Sequence, residues 1–186
     1  MDARVRAALD AAPRERFLRA QDRPFAHIDA PLSIGHGVTN SQPSTVFAML
    51  ELLDVRPGQR VLDVGAGSGW TTALLAELVG PSGRVVGVER IPELIPPAIE
   101  ALTPWPQASV QLADDGVLGV PEAGPYDRIL VSAMADDLPG FLVAQLVVEG
   151  VMVIPVRDEM RRVVRRAGGG TQVSEHGLYS FVPLIP

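Results

Sequence analysis

The stretch Val61-Leu62-Asp63-Val64-Gly65-Ala66-Gly67-Ser68-Gly69-Trp70 decides the fold. Its first half is a short apolar and β-branched run around one acid, which suits a buried parallel strand. Gly65, Gly67 and Gly69 then let the backbone turn tightly and approach a ligand closely. Thr71 to Val79 resumes an apolar helical pattern. Strand, glycine turn and helix follow one another within twenty residues.

The alternation continues outward from this unit. Upstream, Val5 to Ala12 is a short helical segment closed by Pro13, and Phe25 to Gln42 is an irregular but ordered loop. Pro43 opens a helix whose core face is Val46, Met49, Leu50 and Leu53. Downstream, strands are expected at 60–64, 84–89, 109–113, 128–132 and 151–155, with a helix over 140–148. The prolines at 96, 97, 104 and 106 limit the helix after the second strand to a short one starting near Pro96. Two more strands, 160–166 and 178–182, follow as an antiparallel pair at one edge. The pattern gives an α/β protein: a Rossmann-like, doubly wound, mostly parallel sheet with an antiparallel C-terminal hairpin. Residues 1–186 are expected to form one domain, with 1–55 packing on a 56–186 core.

The bulk composition narrows the function. The chain has 186 residues, 47% of them apolar, which suits a sizeable single core. It has no cysteine, which excludes disulfides, thiolate nucleophiles and cysteine-held zinc. A net charge of −6 argues against nucleic-acid binding. No membrane span and no apolar signal segment are evident, so a cytoplasmic protein is expected. We expect a monomer and no metal site.

The glycine spacing is G-x-G-x-G, not the G-x-G-x-x-G of dinucleotide phosphate binders. An acid, Asp63, sits just ahead of the turn. That suits a ligand carrying an ammonium or sulfonium group and points to S-adenosylmethionine rather than NAD. Glu89 ends the second strand about twenty residues on, where an acid accepts from ribose hydroxyls. Asp114-Asp115-Gly116 ends the third strand, where a carboxylate can accept from an adenine amino group or form an Asx-type turn. These sites lie at the carboxyl ends of successive strands, where open α/β sheets bind ligands.

The loop Gly35-His36-Gly37-Val38-Thr39-Asn40-Ser41-Gln42-Pro43 resembles the protein-L-isoaspartate O-methyltransferases, a class I methyltransferase family. The resemblance extends to Pro13-Arg14, Phe17, Arg60 to Asp63, Val88 to Leu94, Asp115-Gly116, Leu118-Gly119, Tyr126-Asp127, Val153 to Val156 and Phe181 to Leu184. It implies methyl transfer from S-adenosylmethionine to the carboxylate of an isoaspartyl residue in a damaged peptide or protein. The ester then cyclises to a succinimide that partly reopens as aspartate, a repair route. It implies Ser41 as the active-site serine, and an N-cap of the following helix is the competing reading for that hydroxyl. It places Thr39, Asp63, Gly65, Gly67, Gly69, Glu89, Arg90, Asp115 and Gly116 at the cofactor. It places His36, Asn40 and Gln42 at the substrate, His36 as a loop-shaping residue more than an acid–base group.

The chain departs from the family where Asn40 replaces an aliphatic residue, Val38 a glutamine and Asp114 a glycine. Those departures keep two rival readings open: a carboxyl methyltransferase redirected to a specific peptide or small acid, and a cofactor-binding protein without turnover. The arginines at 157, 161, 162, 165 and 166 read as a charged edge strand that resists aggregation, with grip on an acidic peptide as the lesser reading.

Overall fold

In the computed structural model, which describes residues 2–185, the Val61 segment lies in the middle of a seven-stranded sheet. A two-stranded antiparallel hairpin comes first in the chain, β1 (Leu32–Gly35) and β2 (Val38–Asn40). The sheet strands are β3 (Arg60–Val64), β4 (Arg84–Glu89), β5 (Ala108–Leu112), β6 (Tyr126–Val131), β7 (Leu146–Val156), β8 (Glu159–Arg165) and β9 (Thr171–Leu178). Their order is β5-β4-β3-β6-β7-β8-β9. The pairs from β5 to β7 are parallel, and β8 and β9 are added antiparallel. The chain steps outward from β3 to β5 and then returns to lay β6 beside β3. That reversal opens a crevice at the carboxyl ends of β3 and β6.

The helices are α1 (Ala3–Ala11), α2 (Pro43–Leu53), α3 (Trp70–Val79), α4 (Ile95–Ala101) and α5 (Gly140–Ala144). Alternate strand residues feed two cores. Val61, Val85, Leu130 and Val151 pack with Val46, Met49, Leu74 and Ala98 from α2, α3 and α4, and with Val5 and Ala8 of α1. Leu62, Val86, Ile129 and Met152 face the other way, toward Val120, Leu142 and Val143. The period-two alternation of a strand buried on both faces produces this split. Pro96 and Pro97 sit in the first turn of α4, where their missing N–H groups are not needed.

Four expectations need correction. The loop over 25–42 is not wholly irregular, since it contains β1 and β2, with a tip at Gly35-His36-Gly37 where all three residues have positive φ. The helix expected over 140–148 ends at Ala144. Leu146 already pairs with Tyr126, and Tyr126 N donates to Gln145 O at 2.8 Å. The apolar run Leu146-Val147-Val148 is compatible with either state by periodicity alone, and pairing with β6 settles it.

The last strand is Thr171–Leu178, not 178–182. Its residues are mostly exposed and polar, so no apolar alternation announces it. Residues 182–184 leave the sheet and bridge to Met134 instead, with Met134 N donating to Val182 O and Leu184 N to Met134 O, each at 2.7 Å.

The fourth correction concerns the arginines. β8 is covered by β9 and is not an edge. Arg162 donates to Leu52 O, Arg165 to Ala144 O and Leu146 O, Arg166 to Glu149 and Gln172, and Arg157 to Asp136 O and Asp137. Arg161 pairs with Glu159 and lies near Glu175. Each of these side chains has a carbonyl or carboxylate partner nearby, and the strand that carries most of them is interior to the sheet. Among the described residues no helix is long and apolar enough to cross a membrane.

Candidate active site

A cavity of about 300 Å³ opens at the β3–β6 crevice. Val64, Gly65, Ala66, Gly67 and Ser68 form its floor, and Val88, Glu89, Arg90 and Ile91 one side. The hairpin and the loop after it, from Ile34 to Ser41, form another side, and 182–185 close over it. The turn works as its glycines suggest. Gly65, Gly67 and Gly69 have φ of 80°, 55° and 89°, a region side chains disfavour. A Cβ on Gly67 would stand 3.2 Å from Ile34 Cδ1.

Glu89 is 6% exposed and anchors the turn. Its Oε2 accepts from Gly67 N at 2.8 Å, and its Oε1 from Arg90 N at 2.8 Å and Ile91 N at 3.0 Å. A carboxylate offers about four acceptor sites, so one on Oε2 remains for a ligand hydroxyl. A glycine floor, a strand-end carboxylate with that capacity and apolar walls from Ile34, Val88, Ile91 and Leu118 fit an adenosyl group.

Asp63 plays another part than sequence suggested. It does not line the cavity and is fully buried, its Oδ2 accepting from the Thr71 and Thr72 hydroxyls at 2.7 Å each. Its Oδ1 has no partner. Burial pushes its carboxyl up to about 6; the Thr72 and Thr71 hydroxyls oppose the rise and the nearby Glu89 charge adds to it. Gly69 also lies outside the cavity wall, as the N-cap of α3 against Ala98 and Leu102. Asp114, Asp115 and Gly116 are exposed, on a turn closed by Val117 N donating to Asp114 O. Their neighbours Ala113, Val117 and Leu118 line the cavity while they stand at its rim.

The active-site loop is organised by a residue that sequence reasoning did not single out. Arg14 is 5% exposed, and its guanidinium reaches six oxygens of the 26–41 loop. Nε donates to Asn40 Oδ1 at 2.7 Å, and the terminal nitrogens to the carbonyls of Ala26, Ile28, Ala30, Asn40 and Ser41. It also lies 5.4 Å from the centre of the Trp70 ring, within cation–π range. Trp70 in turn donates from its indole to Ala12 O. The only sequence signal was the Pro13-Arg14 pair. A basic residue in a charged N-terminal segment otherwise reads as solvated.

The predicted substrate residues divide. Asn40 lines the cavity, yet both ends of its amide are engaged, Oδ1 with Arg14 and Nδ2 with Ser68 Oγ at 3.2 Å. Gln42 Nε2 donates to Asp29 Oδ2 and Ser44 Oγ. Asp29 Oδ1 accepts from Ser44 N, so Asp29 secures the first turn of α2. That backbone bond, followed by the Gln42 amide, holds the Asp29 carboxyl below its ordinary value. His36 and Arg90 are exposed at the cavity mouth.

The N-cap of α2 is Gln42, not Ser41. Among the described residues the hydroxyls of Thr39 and Ser41 make no protein hydrogen bond. Both residues line the first cavity and also a second, outer one of about 650 Å³. The outer cavity is bounded by Gln42, Ser44, Thr45 and the 178–182 segment, and no charged side chain lines it.

Comparison with known proteins accords with this geometry. The family model described as Protein-L-isoaspartate(D-aspartate) O-methyltransferase (PCMT) matches residues 1–186. A protein-L-isoaspartate O-methyltransferase of Methanopyrus kandleri is 47% identical over 98% of this chain and 83% of its own. One of Methanocella arvoryzae is 43% identical over 95% of this chain and 96% of its own. The crystal structure of a putative protein-L-isoaspartate O-methyltransferase from Plasmodium falciparum, in complex with S-adenosyl-L-homocysteine, superposes with a TM-score of 0.85. It shares 25% identity over 98% of this chain and 90% of that one. With the sheet order, the glycine floor and the serine loop all in place, the chain belongs to the protein-L-isoaspartate (D-aspartate) O-methyltransferase family.

Proposed function

We propose that this protein is an S-adenosylmethionine-dependent carboxyl methyltransferase acting on L-isoaspartyl residues of damaged proteins. The observation that carries the reading is the shared wall of two cavities at Thr39 and Ser41, one fitted to an adenosyl cofactor and one open to a peptide. When bound, the cofactor supplies an electrophilic methyl group on a sulfonium: the substrate carboxylate forms the O–C bond while the C–S bond breaks, its electron pair staying on sulfur.

The chain's own residues supply placement. The carboxylate is already ionised near neutral pH, so no general base is needed. It must instead be held in line, about 3–3.5 Å from the reacting carbon. Ser41, free of capping duty, donates to the substrate carboxylate. A donor on the non-attacking oxygen leaves the attacking lone pair unengaged. Arg14 fixes the height of Ser41 through its carbonyl, at 2.9 Å. Glu89 receives a ribose hydroxyl on Oε2, and Asp115 at the rim receives the adenine amino group. Opposite charges vanish as the reaction proceeds, so the uncharged lining of the outer cavity favours the transition state over the separated ions.

Labelled methyl transfer to a matched pair of isoaspartyl and aspartyl peptides tests this. Incorporation into the isoaspartyl peptide alone, as a base-labile ester, is the expected result. Transfer to neither peptide, with the cofactor still bound, would assign the site to a different carboxylic acid.

A further inference from the structure

Ser132 was not among the sequence-predicted residues, yet it stands at the same junction. The residues that line both cavities are Thr39, Ser41, Ser132 and Val182. Ser132 directly follows β6, on the strand that borders the crevice, and its N–H donates to Val64 O at 2.8 Å. A Cβ built on Gly65 would lie 3.7–3.8 Å from the Ser132 carbonyl and Cβ, so this serine faces the first glycine of the floor. Two residues on, Met134 holds the 182–184 segment, which fixes Val182 over the same spot. Among the described residues the Ser132 hydroxyl has no hydrogen-bond partner.

We propose that Ser132 is a second substrate-positioning hydroxyl, which with Ser41 holds the attacking carboxylate where the two cavities meet. The inference rests on the methyltransferase reading above. The physical need is specific. One hydrogen bond leaves a carboxylate free to rotate about it. A second donor, from a different element, fixes the plane of the group and so the direction of its attacking lone pair. Ser41 comes from the loop ahead of α2 and Ser132 from the end of β6. Misplacement of either weakens substrate binding without touching the adenosyl contacts.

The test measures three quantities on wild type, Ser132→Ala and Ser132→Thr. They are affinity for S-adenosylhomocysteine, affinity of the S-adenosylhomocysteine-bound protein for an isoaspartyl peptide, and single-turnover methyl transfer. Ser132→Ala keeps the Cβ against Gly65 and removes only the hydroxyl. It is expected to weaken peptide binding by about 10-fold, the scale of one lost charge-assisted hydrogen bond, with S-adenosylhomocysteine affinity unchanged. Ser132→Thr is expected to restore binding. Unchanged peptide affinity in Ser132→Ala, an equal loss of S-adenosylhomocysteine affinity, or an equal loss in Ser132→Thr would each overturn the proposal. A wild type that binds the peptide but does not methylate it contradicts the functional reading alone, and the affinities still decide the role of Ser132. A wild type that does not bind the peptide contradicts both.

Discussion

Arg14 and Asn40 are joined twice: Arg14 Nε donates to Asn40 Oδ1 at 2.7 Å, and a terminal nitrogen to the Asn40 carbonyl at 3.0 Å. Asn40 then passes the connection to Ser68 of the glycine turn. The cofactor floor and the substrate loop are therefore tied by one buried cation and one amide. The amide occupies a position where an aliphatic residue is expected from the family resemblance.

Replacing Asn40 by isoleucine should leave the Arg14 Nε–H without its acceptor in a buried site. The cost expected is about 1–3 kcal/mol. Arg14→Lys should cost at least as much, because an ammonium cannot reach six oxygens spread over the loop. Denaturant unfolding of the two variants checks this. Wild-type stability in Asn40→Ile would mean that the loop is held by its carbonyls alone.

Glu89→Gln should weaken S-adenosylhomocysteine binding by more than about 10-fold. It removes the charge that three backbone N–H groups converge on, and with it the Gly67 geometry and the ribose acceptor. NAD should not bind to wild type. Calorimetry with both ligands is the check, and unaltered affinity in the variant would remove Glu89 from the site.

The Asp114 and Asp115 pair gives a register test. Asp115→Ala should reduce S-adenosylhomocysteine affinity more than Asp114→Ala does. The opposite order in a thermal-shift titration would hand the adenine contact to Asp114.

Buried Asp63 predicts a pH dependence. Its folded pKa is about 6 against an ordinary 3.8, so between those values the folded state holds a proton that the unfolded state has lost. Stability therefore falls as pH rises through that window, and the full cost above it is about 3 kcal/mol. In Asp63→Asn the group does not titrate. The stability of wild type minus that of Asp63→Asn should decrease by about that amount between acid and neutral conditions. A flat difference would show that the carboxyl titrates normally.

Much of this was legible in the sequence because the deciding signals are local. The Val61–Gly69 stretch encodes strand, turn and floor in one segment, and Glu89 follows at a fixed spacing. What was missed depends on contacts distant in the chain. Arg14 is identified only by the loop that folds around it. Ser132 looks like the ordinary end of an apolar strand until β6 is laid beside β3. Asp63 reads as a ligand partner from its place before the turn, and only packing shows Thr71 and Thr72 turned inward upon it. The strand at 171–178 is polar and exposed, and backbone pairing with β8 creates it.

The central claim is that Ser41 sits between cofactor and substrate and serves the second. Single-turnover methyl transfer to an isoaspartyl peptide, measured on Ser41→Ala beside S-adenosylhomocysteine affinity and unfolding free energy, tests it most directly. Because Gln42 and not Ser41 caps α2, stability should stay within about 0.5 kcal/mol of wild type, the range of substitutions that break no buried contact. Cofactor affinity should be unchanged, and the rate should fall more than about 10-fold, a loss of over ~1.4 kcal/mol of transition-state stabilisation. A Ser41→Ala variant that transfers methyl at the wild-type rate would contradict the account.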